Sequence, residues 1–217
     1  MTSDEHIART RKHVRTRLGE EVTGHDWWHA HRVCRSSLEI GRQEGADLYV
    51  VQLAALLHDV ADWKFHDGDE EAGPRVAASW LRSIAVDDGA IAHVTAIIRD
   101  ISFKGAEVPT PMRTLEGEVV QDADRLDALG AIGIARAFAY GGFRGQVLHD
   151  PESPPRIAVS TEIYKTQRGS TINHFSEKLL LLKDRMNTET ARRIALERHQ
   201  VMERFLEQFH AEWDGEA

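Results

Sequence analysis

The run VVQLAALLHDVAD, from Val50 to Asp62, constrains the fold more than any other stretch of the chain. Its apolar residues surround the whole circumference of a helix, which predicts a central buried helix rather than a surface one. Yet it carries His58, Asp59 and Asp62. Carboxylates are among the groups least often buried unless paired or bound to a metal, so these three side chains need a shared partner. A divalent cation would serve, and a buried ion-pair network or a helix end reaching solvent is the alternative for this segment alone. In a helix continued to Asp62, His58 and Asp62 share a face one turn apart, with Asp59 about 100° round.

The 217 residues suffice for one sizeable core, so a single domain is expected over 1–217, its core about 20–190 and a C-terminal packing helix about 189–213. The 41 % hydrophobic and 29 % charged content is that of an ordinary globular chain rather than a disordered one. A formal charge of −8 argues against a surface for polymeric nucleic acid, while leaving room for a local basic pocket that takes a small phosphate ester. Cys34 is the single cysteine, which excludes an intramolecular disulfide and suits a packed thiol in a reducing compartment. The N-terminal MTSDEHIARTRKHVRTRL lacks a signal-peptide apolar core, and no run of about 18 apolar residues occurs. A cytoplasmic location with no membrane partner is expected.

In chain order, Ser3–Leu18 places Ile7, Val14 and Leu18 on one stripe of a surface helix. Thr23 reads as the N-cap of a second helix from about Gly24 to Gly41, with Trp27 and Trp28 heavily packed at its start. DWKFHDGDEEAGPR reads as a loop, and Val76–Ile84 and Ala90–Ile101 as helices. Glu118–Tyr140 has the pattern of one long helix stopping at Gly141–Gly142. The stretch from Gly141 to Thr171, which holds PESPP, is the longest irregular region and has the length of a lid or binding loop. Two helices close the chain, Ile172–Met186 and one carrying Ile194, Val201, Phe205, Phe209 and Trp213 on one side. With no alternating strand pattern and no repeat, the fold class is all-α, a single-domain helical bundle.

His29, His58–Asp59 and Asp124 fall on three different predicted helices, each in a segment that otherwise reads as buried. Two imidazoles and two carboxylates form a mixed nitrogen and oxygen set of net charge −2, which would neutralise one divalent ion and leave octahedral positions for water and phosphate oxygens.

These residues, in HAHRV, LLHDVAD and DADRLDALG, resemble the H…HD…D hallmark of the HD-domain phosphohydrolases. The family's first histidine is typically followed four residues on by a small aliphatic residue, which selects His29, with Val33 behind it, over His25. Its last aspartate commonly precedes a basic residue and a leucine, which selects Asp124 over Asp122. GHDWWHAHRV, HDVADWKF, ISFKG, DADRLDALGAIGIARAFAYGG and HFSEKLLLLKDRMNT together look like the small bacterial YpgQ/YedJ-like branch, from about residue 23 to 190. The resemblance implies the HD-type bundle, metal-dependent hydrolysis of a nucleoside triphosphate to monophosphate and pyrophosphate, and one divalent ion. Mn2+ stands ahead of Mg2+, Ni2+, Fe2+ or Zn2+.

Asp62 is placed to orient or deprotonate the attacking water, or alternatively to hold His58 or a nearby base. His25 reaches a phosphate or makes a structural hydrogen bond. Lys64, Lys104 and Lys178 each sit in a family-like segment as candidate phosphate clamps, solvated lysine being the default for any one of them. His174 faces the same way as Lys178 and either reaches the substrate or serves as a cap or core residue. Arg125 and Asp127 read as ion-pairing groups beside the last ligand. His6, His13, His31, His149, His199 and His210 lie in surface-like contexts. His66 and His93 lack the adjacent pair and GYP signature of two-metal relatives, so one metal is expected. Rival readings are a phosphomonoesterase or phosphodiesterase on the same scaffold, a nucleotide-binding regulatory module, and a di-iron oxygenase. A homodimer is compatible with all of these.

Overall fold

The structure, a computed structural model, describes residues 1–19, 26–61, 69, 71–101, 110–156 and 169–216. Every regular element among the described residues is helical, in agreement with the expected all-α class. None of these helices is long and apolar enough to cross a membrane. The chain forms two compact units, Met1–Phe103 with Thr110–Ala123 and Lys104–Pro109 with Asp124–Ala217.

The first unit contains α1 (Ser3–Arg17), α2 (Trp27–Glu44), α3 (Leu48–Leu57), α4 (Ala72–Ser83), α5 (Asp88–Asp100) and the start of α6 (Leu115–Asp127). α1 opens in a capping box, in which the Glu5 N–H donates to the Thr2 hydroxyl at 3.3 Å and the Thr2 N–H to the Glu5 carboxylate at 2.8 Å. α3 is the centre of this unit and packs on α1, α2 and α5. Val51, Leu53, Ala54, Ala55, Leu56 and Leu57 have no exposed surface, as the all-round apolar pattern predicts. Cutting Leu56 back to alanine should cost about 2–5 kcal/mol, because so enclosed a site cannot collapse around the lost atoms.

Several boundaries differ from those expected. α3 stops at Leu57 instead of continuing to Asp62, with His58 at its C-terminal cap. α2 is capped by Asp26 rather than Thr23, because the extended backbone of Asp26 lets its carboxylate accept the His29 N–H at 2.8 Å. It also runs past Gly41 to Glu44 and ends at Gly45, whose φ of 79° favours glycine. Trp27 is buried at 8 % exposure but Trp28 is 57 % exposed, so only the first is packed. α4 begins before the expected Val76 because Pro74 lies in its first turn, where a missing N–H costs nothing. Asp87 starts α5 by accepting the Ala90 N–H at 2.9 Å.

The second unit contains the end of α6, α7 (Gly130–Phe143), α8 (Thr171–Glu177), a 3-10 helix (Leu179–Arg185) and α9 (Glu189–Trp213). The long helix expected over Glu118–Tyr140 is two helices. Gly130 breaks it with φ 70°, and a Cβ there would approach Arg198 to 3.1 Å. The Arg198 guanidinium donates to the Leu126 carbonyl at the end of α6, which also accepts the Leu129 N–H at 3.1 Å. The expected Ile172–Met186 helix likewise breaks at Lys178, whose φ of −142° leaves the helical region. α9 buries Ala191, Ala195, His199 and Met202. Phe205 and Phe209 on it join Phe138 and Phe175 in an aromatic cluster with centroids 5.7–6.5 Å apart. His6 and His199 are each 7 % exposed, which corrects their surface reading. His6 Nδ1 lies 2.6 Å from the Tyr49 hydroxyl, and His199 Nε2 lies 3.1 Å from a Glu203 carboxylate oxygen.

Candidate metal centre

Three side chains converge in the first unit. His29 Nε2 lies 3.2 Å from His58 Nε2 and 3.2 Å from Asp59 Oδ2, and His58 Nε2 lies 3.3 Å from the same oxygen. Donors about 2.1–2.3 Å from a common ion and at right angles to one another stand roughly 3.0–3.3 Å apart, so the triangle has the dimensions of one face of an octahedral site. Among the described residues this is the one group of three or more ligand-type side chains so arranged.

Each of the three candidate ligands is held by its local structure. His29 is the third residue of α2, and its backbone N–H is tied to the Asp26 carboxylate. The helix buries the His29 ring completely. His58 follows the last residue of α3, and its Nδ1 donates to the Ala55 carbonyl at 2.9 Å. That carbonyl can only accept, so the proton is on Nδ1 and the Nε2 lone pair points into the triangle. Ending α3 at Leu57 also aims the negative end of the helix dipole toward this position, which favours a cation. The turn carrying Asp59 is pinned from two sides. Arg17 Nε donates to the Val60 carbonyl at 3.1 Å, and Gly73 of α4 packs so closely that a Cβ would lie 3.2 Å from the Ala61 carbonyl. Asp59 keeps 12 % of its side chain exposed, so the centre opens on its side.

The other candidates have different fates. His25, Asp62, Lys64, Lys104 and His66 lie outside the described residues. Asp124 is half-buried on α6, in the second unit. His93 belongs to a structural network rather than to the centre. Its Nε2 bonds the Thr114 hydroxyl at 2.9 Å and lies 3.5 Å from Glu116, which accepts the Asp47 N–H at the start of α3. Asp127 pairs with Arg136 at 3.0 Å, as expected of an ion-pairing group, and Arg125 donates to the Arg185 carbonyl. His174 and Lys178 stand one turn apart at α8, where the Lys178 N–H donates to the His174 carbonyl at 3.1 Å. Burial, and then the Lys178 ammonium, lower the His174 pKa to about 3. His174 is therefore neutral near pH 7 and could offer a substrate hydrogen bonds but no charge.

Sequence reasoning missed Asp26 as the residue that anchors a ligand. The signal was present in DWWH, an acidic residue three before His29, but Thr23 competed for the same role.

Residues 27–129 match the HD domain family. The Bacillus subtilis protein YpgQ, described as uncharacterized, is 40 % identical over 204 residues, which is 93 % of this chain and 91 % of YpgQ. The chain belongs to the HD-domain family. A solved structure from Lactobacillus plantarum is 38 % identical with TM-score 0.86, covering 99 % of this chain and 100 % of its own. An HD-superfamily hydrolase from Bacillus thuringiensis is 43 % identical with TM-score 0.78, covering 98 % and 99 %. YpgQ solved in complex with ADP is 36 % identical with TM-score 0.78, covering 98 % and 97 %. The family and the triangle of ligands agree: this is a metal-dependent phosphohydrolase of the HD type, and His29, His58 and Asp59 are suited to a divalent ion.

Proposed function

We propose that the protein is a nucleotide pyrophosphohydrolase that splits a nucleoside triphosphate to the monophosphate and pyrophosphate. The observation that carries this reading is the His29, His58 and Asp59 triangle in a chain whose relative YpgQ has been solved with ADP, which supports a nucleotide as the phosphate compound presented to the ligands. Asp124 is the fourth ligand of the proposal, from its place in DRL. Mn2+ is the favoured ion, ahead of Mg2+, Ni2+, Fe2+ or Zn2+: carboxylate oxygens and octahedral positions suit it, and as a transition metal it takes imidazole nitrogen more readily than Mg2+ does. When bound, a divalent ion supplies Lewis acidity, lowering the pKa of water and offsetting charge on phosphoryl oxygens.

The chain's own residues do the rest. His58, its Nδ1 tied to Ala55, and His29, its backbone tied to Asp26, hold the ligand atoms in fixed directions. Asp62 takes the proton of the attacking water, and His25 lies against the phosphate. Lys64, Lys104 and Lys178 meet the outer phosphates as charges, and His174 meets them as a neutral hydrogen-bonding group.

The test is incubation of metal-loaded and metal-stripped protein with a panel of ribo- and deoxyribonucleoside triphosphates, with chromatographic identification of products. Metal-dependent formation of monophosphate is expected. Nucleoside with orthophosphate would assign a monoesterase, and no turnover with any divalent metal would assign a binding module.

A further inference from the structure

α2 carries a second feature beside its metal ligand. Trp28 is 57 % exposed, whereas Trp27 before it is 8 % exposed. Its indole offers solvent a broad aromatic face on a rigid helix, against which a flat ring can stack. Trp28 directly precedes His29, so their Cα atoms are about 3.8 Å apart and their side chains diverge by about 100°. Arg32 lies one turn beyond Trp28 and the exposed Arg35 two turns beyond, which puts the three on one stripe flanking the metal ligand. On the other side the indole stands edge-on to His31, with centroids 5.8 Å apart and planes at 89°. His31 Nδ1 is 3.4 Å from an Arg11 guanidinium nitrogen. In a chain of formal charge −8, Arg32 and Arg35 on the stripe of Trp28, with Arg11 beside the neighbouring His31, form a local basic surface suited to an anionic ligand with a flat ring.

We propose that Trp28 is the platform on which the base of the nucleotide stacks, with the arginines of its surroundings facing the phosphates. This rests on the nucleotide reading above and adds how the substrate class is chosen. Every base has a π-face, so stacking on one indole selects nucleotides over base-free phosphates without reading the letter, and similar affinity for all four bases follows.

The experiment compares ADP and inorganic pyrophosphate as probes, by calorimetry on the metal-loaded full chain, for wild type, Trp28→Ala and Trp28→Phe. Trp28→Ala should weaken ADP binding by about tenfold or more, the scale of a lost base stack. Trp28→Phe should restore most of it, while pyrophosphate affinity and metal content stay unchanged in both variants. ADP bound equally by wild type and Trp28→Ala overturns the platform and leaves the nucleotide reading standing. Equal losses for ADP and pyrophosphate also overturn it, by showing a disturbed metal centre. Wild type that binds pyrophosphate but not ADP, or binds neither, overturns both.

Discussion

His29 Nε2 and Asp59 Oδ2 stand 3.2 Å apart although they come from different helical segments, one from the first turn of α2 and one from the turn after α3. With the His58 lone pair aimed at the same point, the arrangement places three donor atoms around one ion-sized position.

The first prediction concerns metal retention. Asp59→Ala removes the charged ligand of this triangle and His29→Ala an imidazole with no exposed surface, so both should lose the ion after gel filtration. His25→Ala should keep it. Elemental analysis reads all three, and full metal content in Asp59→Ala would contradict the assignment.

Asp62 carries a mechanistic prediction instead, because a residue that takes a proton lowers turnover without emptying the site. Asp62→Asn should keep its metal and lose roughly 10²-fold or more in kcat, the scale of removing a general acid or base. Near wild-type turnover would make Asp62 a residue that only orients its neighbours.

Much of this centre is visible in the sequence. The apolar run before His58 requires a buried helix, and burial makes the polar residues at its end conspicuous. Other features are hidden for physical reasons. Gly130 sits in ALGAIG, where the apolar pattern continues across a backbone that turns left-handed, so the boundary between α6 and α7 leaves no mark in periodicity. Aromatic residues in a helix usually read as core, which conceals the exposure of Trp28. His199 has polar neighbours on both sides, and only the face chosen by α9 buries it. His25, Asp62, Lys64 and Lys104 lie outside the described residues, so their proposed roles rest on their place in the sequence.

His174 predicts how stability depends on pH. Its folded pKa of about 3 lies below the model-peptide value of about 6.5, so between these limits the unfolded chain binds a proton that the folded chain refuses. The unfolded state then gains with falling pH: stability should be intact above about pH 6.5 and drop as pH falls toward 3. The loss is at most of the order of a few kcal/mol, since His174 keeps some exposed surface. Urea denaturation from pH 7 to 4 should show a shallower decline in His174→Gln than in wild type. Parallel declines would contradict the burial of a neutral ring.

The bond that is cut tests the account most directly. If Lys64, Lys104 and Lys178 hold the outer phosphates as proposed, the centre presented to the His29, His58 and Asp59 triangle is the α-phosphorus, and pyrophosphate leaves in one piece. Phosphorus NMR of a nucleoside triphosphate hydrolysed by the metal-loaded protein in 18O-labelled water reads both the products and the atom attacked. The account predicts nucleoside monophosphate carrying the 18O shift, with unlabelled pyrophosphate. Stepwise release of orthophosphate, or label in the pyrophosphate, would contradict it.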